Sequence, residues 1–231
     1  MKKLVSLVLA LALCLSATSA LAAGKLNVLQ ENYYTINSFW TYGYAFAKVE
    51  NSGNKPIRVN AGVLEIYDEA GDVITSTDYL SAHYAYLQPG EYTYIRMFDE
   101  IEGADTGIVV DDHMLTLTGK SESSYVYQRF PCEAKLELNV VDGWMTYNYM
   151  YATVTNDTTE TVYDLNVVFA LMDETGNILF VESDQVYDVG LTPNSSMVFR
   201  VEIPSSFTEY FTANNITPIT LDVIAYTEEF E

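Results

Sequence analysis

The sequence predicts an all-β protein, and three features support that prediction. Large apolar residues recur at every second position over residues 64–67 and 165–172, which is the pattern of a strand with one buried face. A tight-turn sequence, Asp-Glu-x-Gly, follows each of these segments. The same order of segments then occurs twice along the chain. Strands and turns at this spacing, in units of about 100 residues, predict two tandem immunoglobulin-like antiparallel β-sandwiches after an N-terminal signal peptide.

The first 22 residues predict export from a bacterial cell. Two lysines precede an apolar run over residues 4–15, and small residues ending in Ala22 follow. This order is typical of a secretory signal peptide, and the run is shorter than the roughly 20 apolar residues of a membrane span. A lipoprotein signal at Cys14 is the alternative, but Leu13 stands where such signals carry Gly, Ala or Ser. We therefore expect a secreted or envelope-associated mature chain without a membrane span.

The predicted mature chain is strongly acidic. Without the two lysines of the signal peptide, it keeps 9 basic residues against 32 acidic ones. Such a surface repels the phosphates of nucleic acids and of anionic lipids, which argues against both as partners. A high net charge also keeps an exported protein soluble.

An internal repeat predicts two copies of one domain. Val49-Glu50-Asn51 recurs as Val-Thr-Asn at 154–156, and residues 67–74 recur at 172–179, both 105 positions later. The turn at 87–90 recurs at 191–194 after one deleted residue. The predicted boundaries are 1–22 for the signal peptide, 23–119 for the first β-sandwich repeat, 120–132 for a polar linker, and 133–231 for the second repeat.

Both copies resemble the bacterial FxLYD domains. Residues 64–68 (Leu-Glu-Ile-Tyr-Asp) and 169–173 (Phe-Ala-Leu-Met-Asp) are similar to the Phe-x-Leu-Tyr-Asp signature. The family's Val-x-Asn-x-Ser/Thr and Leu-x-Pro-Gly elements match residues 49–52 and 87–90, whereas Asn194 replaces the turn glycine in the second copy. The resemblance covers most of both copies. It implies small exported or surface-anchored sandwiches, mostly of unassigned function, and it carries over no catalytic residue.

The sequence shows no recognisable catalytic or metal-binding pattern. His83 and His113 are the only histidines, and neither has the spacing of a zinc site, so we expect solvated surface side chains. Cys132 is the only cysteine after processing, which excludes an intramolecular disulfide and favours a small buried apolar role. The carboxylates at 68–72 lack the spacing of a calcium loop, and turn chemistry explains them. We therefore predict no catalysis, no cofactor and no bound metal.

Alternating aromatic residues form the most unusual pattern of the sequence. Residues 40–51 (WTYGYAFAKVEN) match residues 145–156 (MTYNYMYATVTN), and Val49 and Val154 are expected to face the core. The tyrosines then lie on the opposite face, where they stabilise the sheet, are covered by the other copy, or bind a ligand. The candidate ligand-binding residues are Trp40, Tyr42, Tyr44, Tyr147, Tyr149 and Tyr151.

These observations favour a non-catalytic exported interaction module of the bacterial cell envelope that recognises a protein partner. The alternative is a carbohydrate-binding module that uses the tyrosine-rich face, since tyrosine rings also stack on sugars. A hydrolase is the weakest hypothesis, because the sequence pairs no nucleophile with a base.

Overall fold

The computed structural model describes residues 24–80, 86–102, 109–121 and 125–230, and within these ranges the protein is almost entirely β-structure. Its single helix in these ranges, α1, is Ser205–Ala213. The all-β prediction is therefore confirmed. The strands are β1 (Leu26–Asn37), β2 (Thr41–Asn51), β3 (Ile57–Asp68), β4 (Val73–Thr77), β5 (Tyr86–Leu87), β6 (Tyr92–Glu100), β7 (Val110–Ser121), β8 (Tyr125–Phe130), β9 (Cys132–Asp142), β10 (Met145–Thr155), β11 (Leu165–Asp173), β12 (Ile178–Val186), β13 (Ser196–Glu202) and β14 (Pro218–Phe230).

The strands form four antiparallel sheets whose order repeats along the chain. In the first copy, β1, β2 and β6 form one sheet, and β3 pairs with β4, β5 and β7 in the other. In the second copy, β9, β10 and β13 form the equivalent three-stranded sheet, and the remaining sheet has the order β12-β11-β14-β8. The repeat seen in the sequence therefore corresponds to a repeated order of strands.

The predicted register of the two aromatic strands is confirmed. Val49 and Val154 are both fully buried, as are the small residues that precede them on the same side of each strand. In the first copy this inner side includes Gly43, where a Cβ atom would clash with the side chain of Ile66 on β3. The missing side chain lets β2 and β3 approach closely, so the two sheets of the copy share one core.

Two buried asparagines explain the Val-x-Asn motif. The Asn51 side-chain amide donates hydrogen bonds of 2.7 Å and 2.8 Å to the carbonyls of Lys55 and Leu87. Asn156 repeats the arrangement, with 2.8 Å and 2.7 Å bonds to the carbonyls of Glu160 and Leu191. Because both asparagines are fully buried, these bonds satisfy polar groups that water does not reach.

The Asp-Glu-x-Gly segments form the predicted turns. One carboxylate oxygen of Asp68 accepts backbone hydrogen bonds of 2.9 Å from Ala70 and Asp72. Asp173 does the same in the second copy with Thr175 and Asn177. Burial raises the pKa of its carboxyl, but the side-chain and backbone hydrogen bonds from Thr175 and Asn177 lower that pKa overall. The carboxylates therefore serve the turn backbone, as the sequence analysis expects.

Asn194 preserves the turn in which it replaces glycine. Gly90 has φ 83°, and Asn194 has φ 59°, so both residues adopt the left-handed conformation. Asparagine tolerates this conformation better than most residues that carry a side chain. The departure of the second copy from the Leu-x-Pro-Gly pattern thus leaves the conformation of the backbone unchanged.

Two features differ from the sequence-based expectation. The segment 120–132, interpreted as a linker, contains strand β8, which pairs with β14 and extends the second copy's larger sheet. Helix α1 lies between β13 and β14 and buries Phe207 and Phe211 one turn apart. Its nine residues were too short for a helical period to emerge from a strand-rich sequence. No helix in the described part of the chain is long and apolar enough to cross a membrane.

Candidate functional site

The aromatic face of the first copy is covered by the second copy. Phe46 is fully buried, and its ring centroid lies 6.1 Å from those of both Phe180 and Phe207. Tyr44, a candidate ligand-binding residue, makes an edge-on contact of 4.9 Å with Phe207 and is partly buried. We call this contact region between the copies the seam. Tyr44 therefore packs against the second copy, which is the covered arrangement that the sequence analysis left open for this face.

Charged and hydroxyl groups extend the seam beyond its aromatic centre. Arg96 of β6 forms an ion pair with Glu182 of β12. The hydroxyls of Tyr92 and Tyr94 donate hydrogen bonds of 2.8 Å and 2.7 Å to the carboxylate of Asp222 on β14. Burial, together with the bond to Asp222, raises the pKa of Tyr92 to about 12 and also raises the pKa of Tyr94. These contacts hold both tyrosines in the neutral, donating form.

Side chains of β1 bind the backbone at the start of β12. Asn32 and Tyr34 both donate 2.9 Å hydrogen bonds to the carbonyl of Ile178, and Gln30 donates a 3.0 Å bond to the carbonyl of Gly176. Burial raises the pKa of Tyr34 to about 12. Strand β12 therefore lies against the first copy through both its backbone and its side chains.

Two other predicted residues of the first copy lie at the margin of the seam. Tyr42 is partly buried, and its ring lies 6.1 Å from those of Tyr44 and Phe98. Trp40 lies in the turn between β1 and β2 and is 62% exposed. Only Trp40 is therefore largely open to solvent among the first copy's candidates.

The equivalent face of the second copy is partly exposed, and Val198 and Arg200 beside it on β13 are exposed. Tyr147, Tyr149 and Tyr151 project from the outer side of β10, opposite the buried Met150, and are partly exposed. Their rings form a row, which we call the tyrosine ladder, with centroid distances of 5.7 Å between Tyr147 and Tyr149 and 6.0 Å between Tyr149 and Tyr151. The predicted residues of this copy therefore lie together on one surface.

Two cations flank the tyrosine ladder. The guanidinium of Arg200 on β13 lies 4.8 Å from the ring centroid of Tyr149, and the ammonium of Lys135 on β9 lies 5.8 Å from that of Tyr151. Lys135 also forms a 2.5 Å ion pair with Glu137, whose pKa is lowered by it. In a chain with a formal net charge of −21, this is a surface where positive charge accompanies aromatic rings.

An exposed apolar hairpin continues the ladder, and the sequence analysis missed it. Trp144 occupies the turn between β9 and β10 and is fully exposed, while its neighbours Val141 and Met145 are 73% and 60% exposed. The Tyr147 hydroxyl lies 3.2 Å from the sulfur of Met145, so hairpin and ladder are continuous. The Asp-Gly pair before Trp144, a common hairpin turn sequence, could have located it.

The remaining candidate groups have structural surroundings. His113 is partly buried, stacks on Tyr33 at 4.4 Å, and lies 2.8 Å from a carboxylate oxygen of Glu31, so the expectation of a solvated histidine is wrong. His83 lies outside the described residues. Cys132 is partly buried, and burial raises the pKa of its thiol. Among the described residues, no group of three or more His, Cys, Asp or Glu side chains could hold a metal ion.

Comparisons with known proteins show no family. No family model matches the sequence, and no curated protein matches it. Similar solved structures include red sea bream transglutaminase, with 11% identity and a TM-score of 0.22 over 88% of this chain and 31% of that one. A Bacteroides uniformis β-glucuronidase has 12% identity and a TM-score of 0.19 over 81% of this chain and 22% of that one. A chain of the T13 viral particle of IBDV has 11% identity and a TM-score of 0.24 over 90% of this chain and 65% of that one.

The chain thus spans less than a third of the transglutaminase and less than a quarter of the glucuronidase. TM-scores at this level carry no argument about fold or function. The functional interpretation therefore depends on the site itself.

Proposed function

We propose that this protein is an exported, non-catalytic interaction module of a bacterial cell envelope, and that the tyrosine ladder is its contact surface for a protein partner. The observation that carries the proposal is the contrast between two equivalent faces. The face of β1, β2 and β6 is covered by α1 and β12 of the second copy, whereas the face of β9, β10 and β13 is partly exposed and carries the exposed Val198 and Arg200.

The proposed architecture is two tandem immunoglobulin-like β-sandwiches, with repeats at 23–119 and 133–231. The repeated sheet order supports it. The hydrogen bonds of Asn51 and Asn156 support the equivalence of the two repeats, because they give the Val-x-Asn element the same role in both copies.

The composition of the open face suits protein recognition. Tyrosine supplies large contact area with few rotatable bonds and a polar tip, and tyrosine, tryptophan and arginine are enriched among residues that dominate binding energy. Trp144, the ladder and Arg200 provide all three types on one surface. The exposed Val198, on the outer side of β13, adds apolar area beside them.

The ring geometry favours a protein over a sugar at the ladder. The rings of Tyr147 and Tyr149 are nearly parallel, at 18°, and their 5.7 Å spacing makes them face each other. Arg200 lies over the ring of Tyr149 as well. Stacking on a sugar requires a free ring face, whereas this arrangement presents ring edges and hydroxyls. A carbohydrate ligand is the alternative, and the fully exposed ring of Trp144 is the observation that favours it.

Export rests on the signal-peptide pattern of the first 22 residues, which lie outside the described part of the chain. Cell fractionation followed by N-terminal sequencing tests it. We expect the protein outside the cytoplasm or in the medium, with a mature N-terminus at Ala23 or within two residues of it. An uncleaved cytoplasmic protein would contradict export.

Site-specific photo-crosslinking in the expressing bacterium tests the contact surface. A benzoylphenylalanine at position 149 should crosslink to a protein, whereas the same group at the exposed Tyr187 outside the ladder should not. A glycan array with the purified mature protein provides the second measurement. Glycan binding that is lost in Tyr149→Ala would replace the proposal with the carbohydrate alternative. Equal crosslinking from positions 149 and 187 would refute a contact surface at the ladder.

A further inference from the structure

The tyrosine ladder has the same strand register as the face that is covered in the seam. On the covered face, Phe46 of β2 lies opposite Arg96 of β6. On the open face, Tyr151 of β10 lies opposite Arg200 of β13. Each arginine therefore occupies the same position beside the same aromatic position of its copy.

The surface that covers the first face uses a simple recognition pattern. Phe180 and Glu182 are two residues apart on β12, so they project from the same side of the strand. Phe180 contacts the ring of Phe46, and Glu182 pairs with Arg96. An aromatic ring and a carboxylate on one extended segment thus match an aromatic ring and an arginine on the receiving sheet.

The tyrosine ladder of the second copy also combines aromatic rings with an arginine, Arg200. Arg200 is exposed and lies over Tyr149, and it forms no ion pair with any residue that the structure describes. We infer that the tyrosine ladder binds an extended segment of a partner protein that carries an aromatic residue and a carboxylate two positions apart. The aromatic side chain would pack on Tyr149 and Tyr151, and the carboxylate would pair with Arg200. This inference rests on the proposed function and specifies the partner's chemistry.

The first repeat of a second protein molecule does not carry this aromatic and acidic pair on its equivalent strand. There, β4 is equivalent to β12, and the strand register places Thr75 and Thr77 where Phe180 and Glu182 stand in the second repeat. The Thr75 hydroxyl already donates a hydrogen bond to Asp99. The large negative charge of the chain further opposes self-association. The segment therefore belongs to a different protein.

A phage-displayed library of random peptides, selected on the mature protein, tests the inference. Peptides are counter-selected on the variant Tyr149→Ala/Tyr151→Ala, so that only sequences that require the ladder remain. We expect enrichment of an aromatic residue two positions from Asp or Glu. Arg200→Gln should weaken the selected peptides by about tenfold or more, the loss expected for one charge-assisted hydrogen bond. Lys120→Gln, an equal charge change at an exposed site on β7, should leave their affinity unchanged.

The outcomes separate this inference from the proposed function. Ladder-dependent peptides without the aromatic and acidic pair, or with affinities unchanged by Arg200→Gln, would overturn the inference and leave a protein-binding ladder in place. A selection that yields no ladder-dependent peptide would overturn both. Normal unfolding of Arg200→Gln in urea would show that the loss comes from binding, because the residue is exposed.

Discussion

The hydroxyl of Tyr94 donates a 2.7 Å hydrogen bond to the carboxylate of Asp222, although the two residues lie 128 positions apart in the sequence. Tyr94 belongs to the first copy's aromatic face, and Asp222 belongs to strand β14 of the second copy. The bond joins the aromatic face of the first copy to the second copy. The polar tips of this face already have partners inside the protein.

Tyr94→Phe should destabilise the protein by about 1–3 kcal/mol, because Asp222 loses a donor in a place that water reaches poorly. Tyr94 itself is fully buried. The loss is measured by urea unfolding followed by far-ultraviolet circular dichroism. Tyr149→Phe is the matched control, since its hydroxyl lies on the open ladder, and its change should stay within about 0.5 kcal/mol. Equal effects of the two substitutions would contradict the importance of the bond.

Phe207→Ala should open the seam. The ring of Phe207 is 1% exposed and lies 4.9 Å from Tyr44 and 4.8 Å from Phe180, so its removal leaves a cavity between the copies. We expect a loss of about 3–5 kcal/mol in unfolding free energy. Hydrogen exchange should increase in β2 and β12, which meet at this ring.

The control for Phe207→Ala is Phe39→Ala, which removes the same ring at a fully exposed position. It should change the stability by less than about 0.5 kcal/mol. Unchanged exchange in β2 after Phe207→Ala would show that the seam does not depend on this residue.

The sequence predicted local structure well because local structure depends on near neighbours. The alternation around Val49 and Val154 placed both valines in the core, and the Asp-Glu-x-Gly segments specified their own turns. The burial of Tyr44 depends on its contact with Phe207, which lies far along the chain. The periodicity of the sequence around Tyr44 cannot predict such a contact. Sequence analysis left open whether each aromatic face is exposed or covered by the other copy. The face of the first copy is covered, and that of the second copy is partly exposed.

The open site was only partly predictable. The ladder follows from the register of β10, whereas its flanking cation Arg200 comes from β13 and needed the strand pairing. Trp144 was missed because the aromatic pattern begins after the hairpin turn. Both tryptophans of the chain, Trp40 and Trp144, lie in the turn before the aromatic strand of their copy, β2 or β10.

Asn51→Ala and Asn156→Ala should have similar effects, because each removes two hydrogen bonds to backbone carbonyls, of which the bond to Leu87 or Leu191 is buried. Each substitution should cost at least about 1–3 kcal/mol, the penalty for leaving a buried acceptor unsatisfied. Asn54→Ala, at an exposed position near Asn51, is the control and should be almost neutral. Thermal unfolding provides the comparison. A large loss in one copy and none in the other would contradict an equivalent role.

Alkaline pH should weaken the seam, since burial raises the pKa of Tyr34 and Tyr92 to about 12. An unfolded tyrosine ionises near pH 10, so its stabilising contribution is complete below about pH 10. Above that pH the unfolded state loses protons before the folded state does, and stability falls until about pH 12. Tyrosinate absorbance at high pH should therefore reveal a late-titrating class in the folded protein. Tyr34→Phe and Tyr92→Phe should each reduce its amplitude by one tyrosine, and in denaturant the class should disappear. A late class that neither substitution reduces would contradict the placement of these hydroxyls in the seam.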